Sequence, residues 1–563
     1  MQMRDLLSAV SPWTLAEEEL GWGRDGPTNL GWYCSDRICR LGRAGQPALI
    51  WEDFQGNART FTFEQLRRRS DAIAQYLRNL GLGPGERICL FMDRVPELYV
   101  GFLAVLKMGG IVQPLFSAFG EESLQVRLEN AGTAAILTQK KHLAKVRKIR
   151  ASLPALRHTV VVDAGTAALQ AREASMVMDA LPEVPGFEVA HTTPDTPSVL
   201  HYTSGTTGQP KGALHVHRSI VAQYLTAQVV LDYRPGDIYW CNADPGWVTG
   251  TSYGIIGPWS NGVTQVVLDS GFNAERWYRF IEKHRVTVWY SAPTAIRLLM
   301  REGTDLVRRF DLTSLRHLAS VGEPLNAEAV VWSQEAFGKP FHDTFWQTET
   351  GAIVIANLPG MPVKPGSMGR PFPGITATVV NLVTGQPIER PGAVGLIALR
   401  PGWPSMLREY WHNRKAFEAK FRNGWYLCGD RASIDADGYF WFVGRDDDVI
   451  NTGGHLVGPF EIESALLEHP AVAESAAVAK PDPINMEVVK AFVCLKPGFE
   501  PTADLELEIM NTIRKKLSPL AMPQEITFVG SLPKTRSGKI MRRVLRAQEW
   551  GQPVGDLSTM MEE

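Results

Sequence analysis

Tyr202-Thr203-Ser204-Gly205-Thr206-Thr207-Gly208-Gln209-Pro210-Lys211-Gly212 combines hydroxyls, glycines and a single lysine in one run. The apolar residues Ser198–Tyr202 before it read as a buried strand, and the apolar spacing from His215 to Tyr233 after it predicts a helix. Strand, glycine loop and helix in that order suit a bound phosphate. The glycines admit backbone N–H groups to a polyphosphate, the hydroxyls donate, and Lys211 supplies a point charge. The spacing is not G-x-x-x-x-G-K-[ST], because Gly208 is followed by Gln-Pro-Lys-Gly. A plain Ser/Thr/Gly surface turn is the structural alternative.

Upstream, Thr62 and Gln65 are spaced as a capping box for a helix from about Phe63 to Leu80. Arg87–Met92 reads as a strand, Pro96 opens a helix, and Gly109-Gly110 stops it before a strand at Ile111–Pro114. This is a βαβ unit with a parallel pair. The pattern recurs at Ala134–Leu137, Leu143–Ser152 and Thr159–Val162, and an Ala-, Glu- and Pro-rich connection over about Gly165–Pro197 leads to the loop. Residues 1 to about 45 read as a mostly irregular lead-in. Downstream, Tyr239–Cys241 is a strand, Ala243–Gly250 a turn and helix start, and βα alternation continues through Thr264–Leu268, Trp277–His284, Val286–Tyr290 and Leu315–Val321. Short strands with turn signals from Gly369 to about Trp441 predict a small β-barrel, and mixed α and β returns beyond Gly444. The fold class is α/β, and 563 residues exceed a single core, so at least two domains are expected.

A hydrophobic content of 44% with 21% charged residues is that of an ordinary soluble globular chain. Lys plus Arg number 58 against 60 Asp plus Glu, a net charge of −2, so any anion must be bound locally and neither nucleic acid nor membrane is an expected partner. The six cysteines are scattered, which excludes a disulfide framework and a zinc site. Met1–Leu20 lacks a secretory pattern, and the apolar run Leu98–Phe116 is broken by Lys107, Gly109, Gly110, Gln113 and Pro114. The expectation is a cytoplasmic enzyme.

Four more stretches carry chemistry: Asp343-Thr344-Phe345-Trp346-Gln347-Thr348-Glu349-Thr350-Gly351, Tyr426–Asp430, Gly444–Ile450 and Pro533–Arg543. Taken singly, these could be a capped strand end, a solvated acidic turn and a basic surface loop. Together with the Tyr202–Gly212 run they resemble, in order and over nearly the whole chain, the adenylate-forming enzymes, which include acyl-CoA synthetases, luciferases and peptide-synthetase adenylation domains. The resemblance implies a large N-terminal domain, residues 1–446, of two α/β subdomains plus the small β-barrel, followed by a small mobile α+β C-terminal domain, residues 447–563. It implies ATP, Mg²⁺ and coenzyme A as ligands. Thr203, Ser204, Gly205, Thr206, Thr207 and Lys211 would hold phosphate, Asp343, Thr344 and Phe345 would border adenine, and Gly322, Glu323 and Pro324 would join the nucleotide site where it meets the acyl pocket. Trp346, Gln347 and Thr348 would cradle the adenylate, Thr348 at the α-phosphate, and Glu349 would bind the metal. Asp430 would accept the ribose hydroxyls and Arg445 contact ribose or phosphate. Lys539 would bridge carboxylate and α-phosphate during adenylation. Asp447 matches the family's hinge, and Gly453 and Gly454 its CoA side. The next turn reads Gly454-His455-Leu456, where the family often has an arginine after the histidine.

Within the family the closest resemblance is to acetyl-CoA synthetases and their short-chain relatives. Trp247, Val248, Thr249, Val321 and Trp346 match that branch's acyl pocket, and Trp259 is either a second wall or plain core. Relatives that take longer acids commonly carry glycine where Trp346 stands. The implied reaction joins a short-chain carboxylic acid, acetate foremost, to CoA through an acyl-adenylate, and it can also run in reverse. Medium-chain or aromatic acyl-CoA synthetases, carrier-protein adenylation and a non-catalytic nucleotide-binding regulator are the other readings. The resemblance also admits a homodimer, and a lysine acetylase and deacetylase acting on Lys539.

Overall fold

The capping box expected at Thr62 forms: Thr62 Oγ1 accepts from Gln65 N at 3.2 Å, and Gln65 Oε1 accepts from Thr62 N at 2.8 Å. The helix it opens, Phe63–Asn79, lies against Pro96–Lys107, which has proline in its first turn and is buried all round. The computed structural model describes residues 11–24, 26–203, 210–452, 455–483, 485–535, 539–554, 557 and 560.

Among the described residues the strands make sheets of nine, eight, five and five strands. The eight-stranded sheet runs Glu409–Tyr410, Lys211–Val216, Pro197–Thr203, Ile111–Pro114, Arg87–Phe91, Ala135–Thr138, His158–Val161, Glu173–Ser175. It is parallel from Pro197–Thr203 onward and antiparallel at the first two pairings. At the heart of the nine-stranded sheet are the parallel strands Pro47–Asp53, Thr264–Asp269, Ile238–Cys241, Val288–Ser291, His317–Val321 and Phe341–Phe345. Most residues of these strands are buried, as a sheet covered on both faces requires. The expected small barrel takes the form of five antiparallel strands between Ala377 and Arg445. Beyond it, strands Val472–Asp482, Met486–Leu495 and Glu525–Phe528 and helices Pro459–Leu467 and Ala503–Lys516 enclose a separate apolar cluster that includes Ile450, Ile462, Leu466, Val489, Ile509 and Ile513, while helix Arg542–Glu549 packs through Leu545 into a smaller cluster with Ala476, Val478 and Phe492.

Three expectations are corrected. The lead-in is largely helical: Ser11 caps Pro12–Leu20, Gly21 ends it in the left-handed region at φ 64°, and short helices span Leu30–Arg43. The connection after Gly165 contains a strand, Glu173–Ser175, that extends the sheet. Most consequentially, the glycine-rich run does not lead into a helix. Thr203 pairs with Lys211 across an antiparallel hairpin, and the helix begins only at Ser219. The apolar residues Ala213–Val216 belong to a strand, so the period there is two, and the helix dipole has no part in any anion binding at this loop.

Candidate active site

The parallel strands of both large sheets end at one cavity of about 440 Å³. Val321 and Phe345 are the last residues of their strands in one sheet, Thr203 closes its strand in the other, and all three line the cavity. This is the crevice at the carboxyl ends of strands where open α/β sheets bind ligands.

One wall is built on the hairpin. The Lys211 ammonium lies 5.6 Å from the centre of the Tyr410 ring, and the Tyr410 hydroxyl donates to Glu349 Oε1 at 2.7 Å. Tyr410 reaches this place because Glu409–Tyr410 pairs with Ala213 and Leu214. Burial, and then the Glu349 charge, hold the phenol protonated, so it stays a donor. The backbone of Glu349 is also fixed: its carbonyl accepts from Leu407 N at 2.9 Å, and the preceding carbonyl, of Thr348, accepts from His215 Nε2 at 2.8 Å. Since a carbonyl only accepts, Nε2 carries the His215 proton. Burial pushes this imidazole down to about 4, so it is neutral around pH 7.

The second wall comes from Asp343 to Gln347 and from Asp430 and Arg445, which face each other across an antiparallel pair. The Gln347 amide donates to Asp430 Oδ2 and, at 3.1 Å, to the Cys428 carbonyl. Desolvation raises the Asp430 carboxyl while Arg445 and Lys539 oppose the shift. Desolvation and then Arg445 lower the Lys539 ammonium against Asp430 and Glu323. Asp343 is buried, and burial pushes it up to about 7 despite hydrogen bonds from Ser320 Oγ at 2.6 Å and Leu325 N at 3.4 Å.

The third wall is apolar: Trp247, Val248, Thr249, Val321 and Trp346. Gly322 has φ 96°, and a Cβ there would lie 2.2 Å from the Trp247 ring, so both the backbone and the close indole demand glycine. The Thr249 hydroxyl is buried with no partner among the described residues, an orphaned polar atom beside the apolar pocket. Trp259 does not join this wall. It is fully buried, donates from Nε1 to the Ala48 carbonyl at 2.9 Å and meets Tyr99 edge-on at 6.3 Å, so it is core.

Lys539, Thr535 and Arg542 bring the C-terminal segment to the same cavity. Arg542 is held by Glu463 at 2.7 Å, Glu323 by Arg297 and Thr294 at 2.6 Å each, and Asn326 donates to Ser464 Oγ at 2.7 Å. Asp447 lies between Arg445, whose Nε reaches its carboxylate at 3.0 Å, and Arg546, which donates to its carbonyl at 2.7 Å. Ser204, Gly205, Thr206, Thr207, Gly453 and Gly454 lie outside the described residues.

The family model described as AMP-binding enzyme matches residues 40–411, and the model of the AMP-binding enzyme C-terminal domain matches residues 461–539. The chain belongs to the AMP-binding enzyme family. An acetyl-coenzyme A synthetase of Bacillus subtilis is 45% identical over 555 residues, covering 97% of this chain and 95% of that protein. One of Xanthobacter autotrophicus is 39% identical over 575 residues, covering 96% and 87%. A crystal structure of a Brucella canis acyl-CoA synthetase, 33% identical, covers 98% of this chain and 99% of its own with a TM-score of 0.75. An anthranilate CoA ligase in complex with anthranoyl-AMP, 29% identical, reaches 0.83 over 92% and 97%.

In this AMP-binding enzyme the described residues include no group of three or more His, Cys, Asp or Glu placed to hold a metal. Mg²⁺ usually keeps several waters and takes at least one carboxylate beside substrate phosphates. Glu349, anchored on one oxygen by Tyr410, is placed to be that carboxylate. Residues that sequence reasoning missed also line the cavity: Phe116, Phe119, Arg127, Lys420, Phe442 and Phe460. Phe116 lies two residues beyond an expected strand, Ile111–Pro114, so nearness to a strand end was the available signal for it; the others sit in no motif.

Proposed function

We propose that this AMP-binding enzyme is an acid:CoA ligase that activates a short-chain carboxylic acid, acetate foremost. It uses ATP, passes through an acyl-adenylate, and yields acyl-CoA, AMP and pyrophosphate. The observation that carries the chain-length reading is Trp346, only 8% exposed and set edge-on against Tyr253 at 5.0 Å, which leaves the apolar end of the cavity short. The high identity to acetyl-coenzyme A synthetases supports the same reading. An indole in that place works against aromatic and medium-chain acids, because each added methylene needs volume that the ring fills.

In the first half-reaction the acid's carboxylate attacks the α-phosphorus and pyrophosphate leaves. Lys211 and the hairpin bind the phosphates, Asp430 and Arg445 orient the ribose, and Lys539 places positive charge where it develops on the α-phosphate. Glu349 would hold Mg²⁺, which would supply positive charge to offset that of the phosphates. In the second half the segment after Asp447 rotates, Lys539 leaves, and the CoA thiol attacks the acyl carbonyl, expelling AMP. We place the boundary between residues 1–446 and 447–563 accordingly. ATP and CoA are drawn from the cytoplasm, where we place the protein; a homodimer, and acetylation of Lys539 that would remove its charge, complete the reading.

Acid-dependent exchange of labelled pyrophosphate into ATP without CoA tests the first half directly. Exchange with acetate supports the reading, and its absence with every acid tried refutes it.

A further inference from the structure

Trp346 is not held only by packing. Its indole N–H donates to the Tyr290 hydroxyl at 3.1 Å, and that hydroxyl lies 2.7 Å from Thr344 Oγ1. The direction of each bond follows from the end of the chain. Thr344 Oγ1 donates to the Ser320 carbonyl at 2.7 Å, which spends its one proton, so Tyr290 must donate to Thr344 and accept from Trp346. Every proton in the series then has a single place to go. A second tyrosine closes the indole from the side: Tyr253 meets Trp346 edge-on at 5.0 Å and Tyr290 at 5.7 Å. Tyr253 is itself fixed, since its hydroxyl accepts from Ile353 N at 2.7 Å and lies 2.7 Å from Thr226 Oγ1, whose proton goes to the Ala222 carbonyl at 2.6 Å.

We propose that Tyr290, which does not line the cavity, sets acid chain length by holding the Trp346 indole across the acyl pocket. It is a positioning residue, and the proposal rests on the short-chain reading above. The physical reason is that an indole needs both a steric bed and a partner for its N–H. Tyr253 supplies the bed, and among the described residues the Tyr290 hydroxyl is the one partner of the N–H, at a site where an unpaired buried donor is penalised. Without that hydroxyl the indole has reason to turn away from the pocket. A longer acid then gains the vacated volume, while acetate loses its wall.

The test compares kcat/KM for acetate, propionate, butyrate and hexanoate in wild type, Tyr290→Phe, Trp346→Gly and the double variant. Tyr290→Phe keeps the ring and deletes one oxygen. Its acetate-to-butyrate ratio is expected to fall about tenfold, within the range for one misfitted methylene, with acetate KM raised and ATP KM unchanged. In the Trp346→Gly background the same change is expected to leave the ratio alone, because Tyr290 acts only through the indole. Thr344→Val, which removes the acceptor of the Tyr290 proton, is expected to shift the ratio in the same direction, and Thr344→Ser to keep it; this pair carries the test if Tyr290→Phe does not fold. A wild-type short-chain profile left unchanged by folded Tyr290→Phe, or an equal shift with and without Trp346, overturns the proposal alone. A wild-type profile that peaks on hexanoate overturns the short-chain reading and the proposal with it.

Discussion

Tyr410 donates a 2.7 Å hydrogen bond to Glu349, although the two lie 61 residues apart. The bond fixes the Glu349 side chain, which lines the cavity and is proposed to bind the metal. Tyr410→Phe should lower kcat/KM for Mg-ATP about 10- to 100-fold, since a hydrogen bond to a charged group contributes about 1.5–3 kcal/mol. Thioester formation from supplied acyl-AMP should be unaffected. Titration of both half-reactions with Mg²⁺ checks this, and an unchanged Mg-ATP dependence would remove Tyr410 from the site.

Lys539→Ala should abolish acyl-adenylate formation and spare the thioester step, because the proposed role of the ammonium is confined to the first transition state. Pyrophosphate exchange and CoA acylation from synthetic acetyl-AMP separate the two. Equal loss in both would refute the assignment.

Asp447→Pro should impair thioester formation more than adenylation. Proline fixes φ at the proposed pivot, yet keeps the carbonyl that Arg546 holds at 2.7 Å. Wild-type rates in both half-reactions would move the pivot elsewhere.

The Asp343 carboxyl, pushed up to about 7 by burial, gives a pH dependence of stability. Its folded value lies above that of the unfolded chain, so between the two the folded state binds the extra proton and stability falls as pH rises. Asp343→Asn mimics the protonated form. Chemical denaturation at pH 5 and pH 7 should show the wild type losing about 2–3 kcal/mol more than the variant, from about 1.4 kcal/mol for each pH unit of the window. Parallel behaviour of the two proteins would mean that Asp343 is ionised throughout.

Much of this site was legible because its residues sit in short runs whose order is particular. Asp343, Gln347, Glu349, Asp430, Arg445 and Lys539 do converge on one cavity. Local patterning also gave the Thr62 capping box and the βαβ units. What escaped depends on distant pairing. His215 holds the Thr348 carbonyl across 133 residues, and Tyr410 enters only through the short strand pairing with Ala213 and Leu214. The hairpin after Thr203 was misread because a strand buried on both faces shows no alternation, so its apolar run merges with the helix beyond. For Trp259 the sequence left wall and core open, because nearness in sequence to Trp247 does not distinguish a pocket wall from core.

That distinction is itself testable. Trp346→Gly should shift preference toward longer acids by about 10- to 200-fold in relative kcat/KM per methylene admitted. Trp259→Ala should cost about 3–5 kcal/mol of stability, as large core truncations do, and leave the chain-length profile in place. Thermal unfolding alongside the acid panel checks both, and a chain-length shift in Trp259→Ala would return that residue to the pocket.

The central claim is tested most directly by supplying the purified enzyme with Mg-ATP, CoA and, separately, acetate, propionate, butyrate, octanoate and benzoate, and measuring AMP, ADP, pyrophosphate and thioester. The account predicts AMP, pyrophosphate and thioester in equal amounts, no ADP, and the highest kcat/KM with acetate. Formation of ADP, absence of thioester with every acid, or a best substrate of octanoate or benzoate would contradict it.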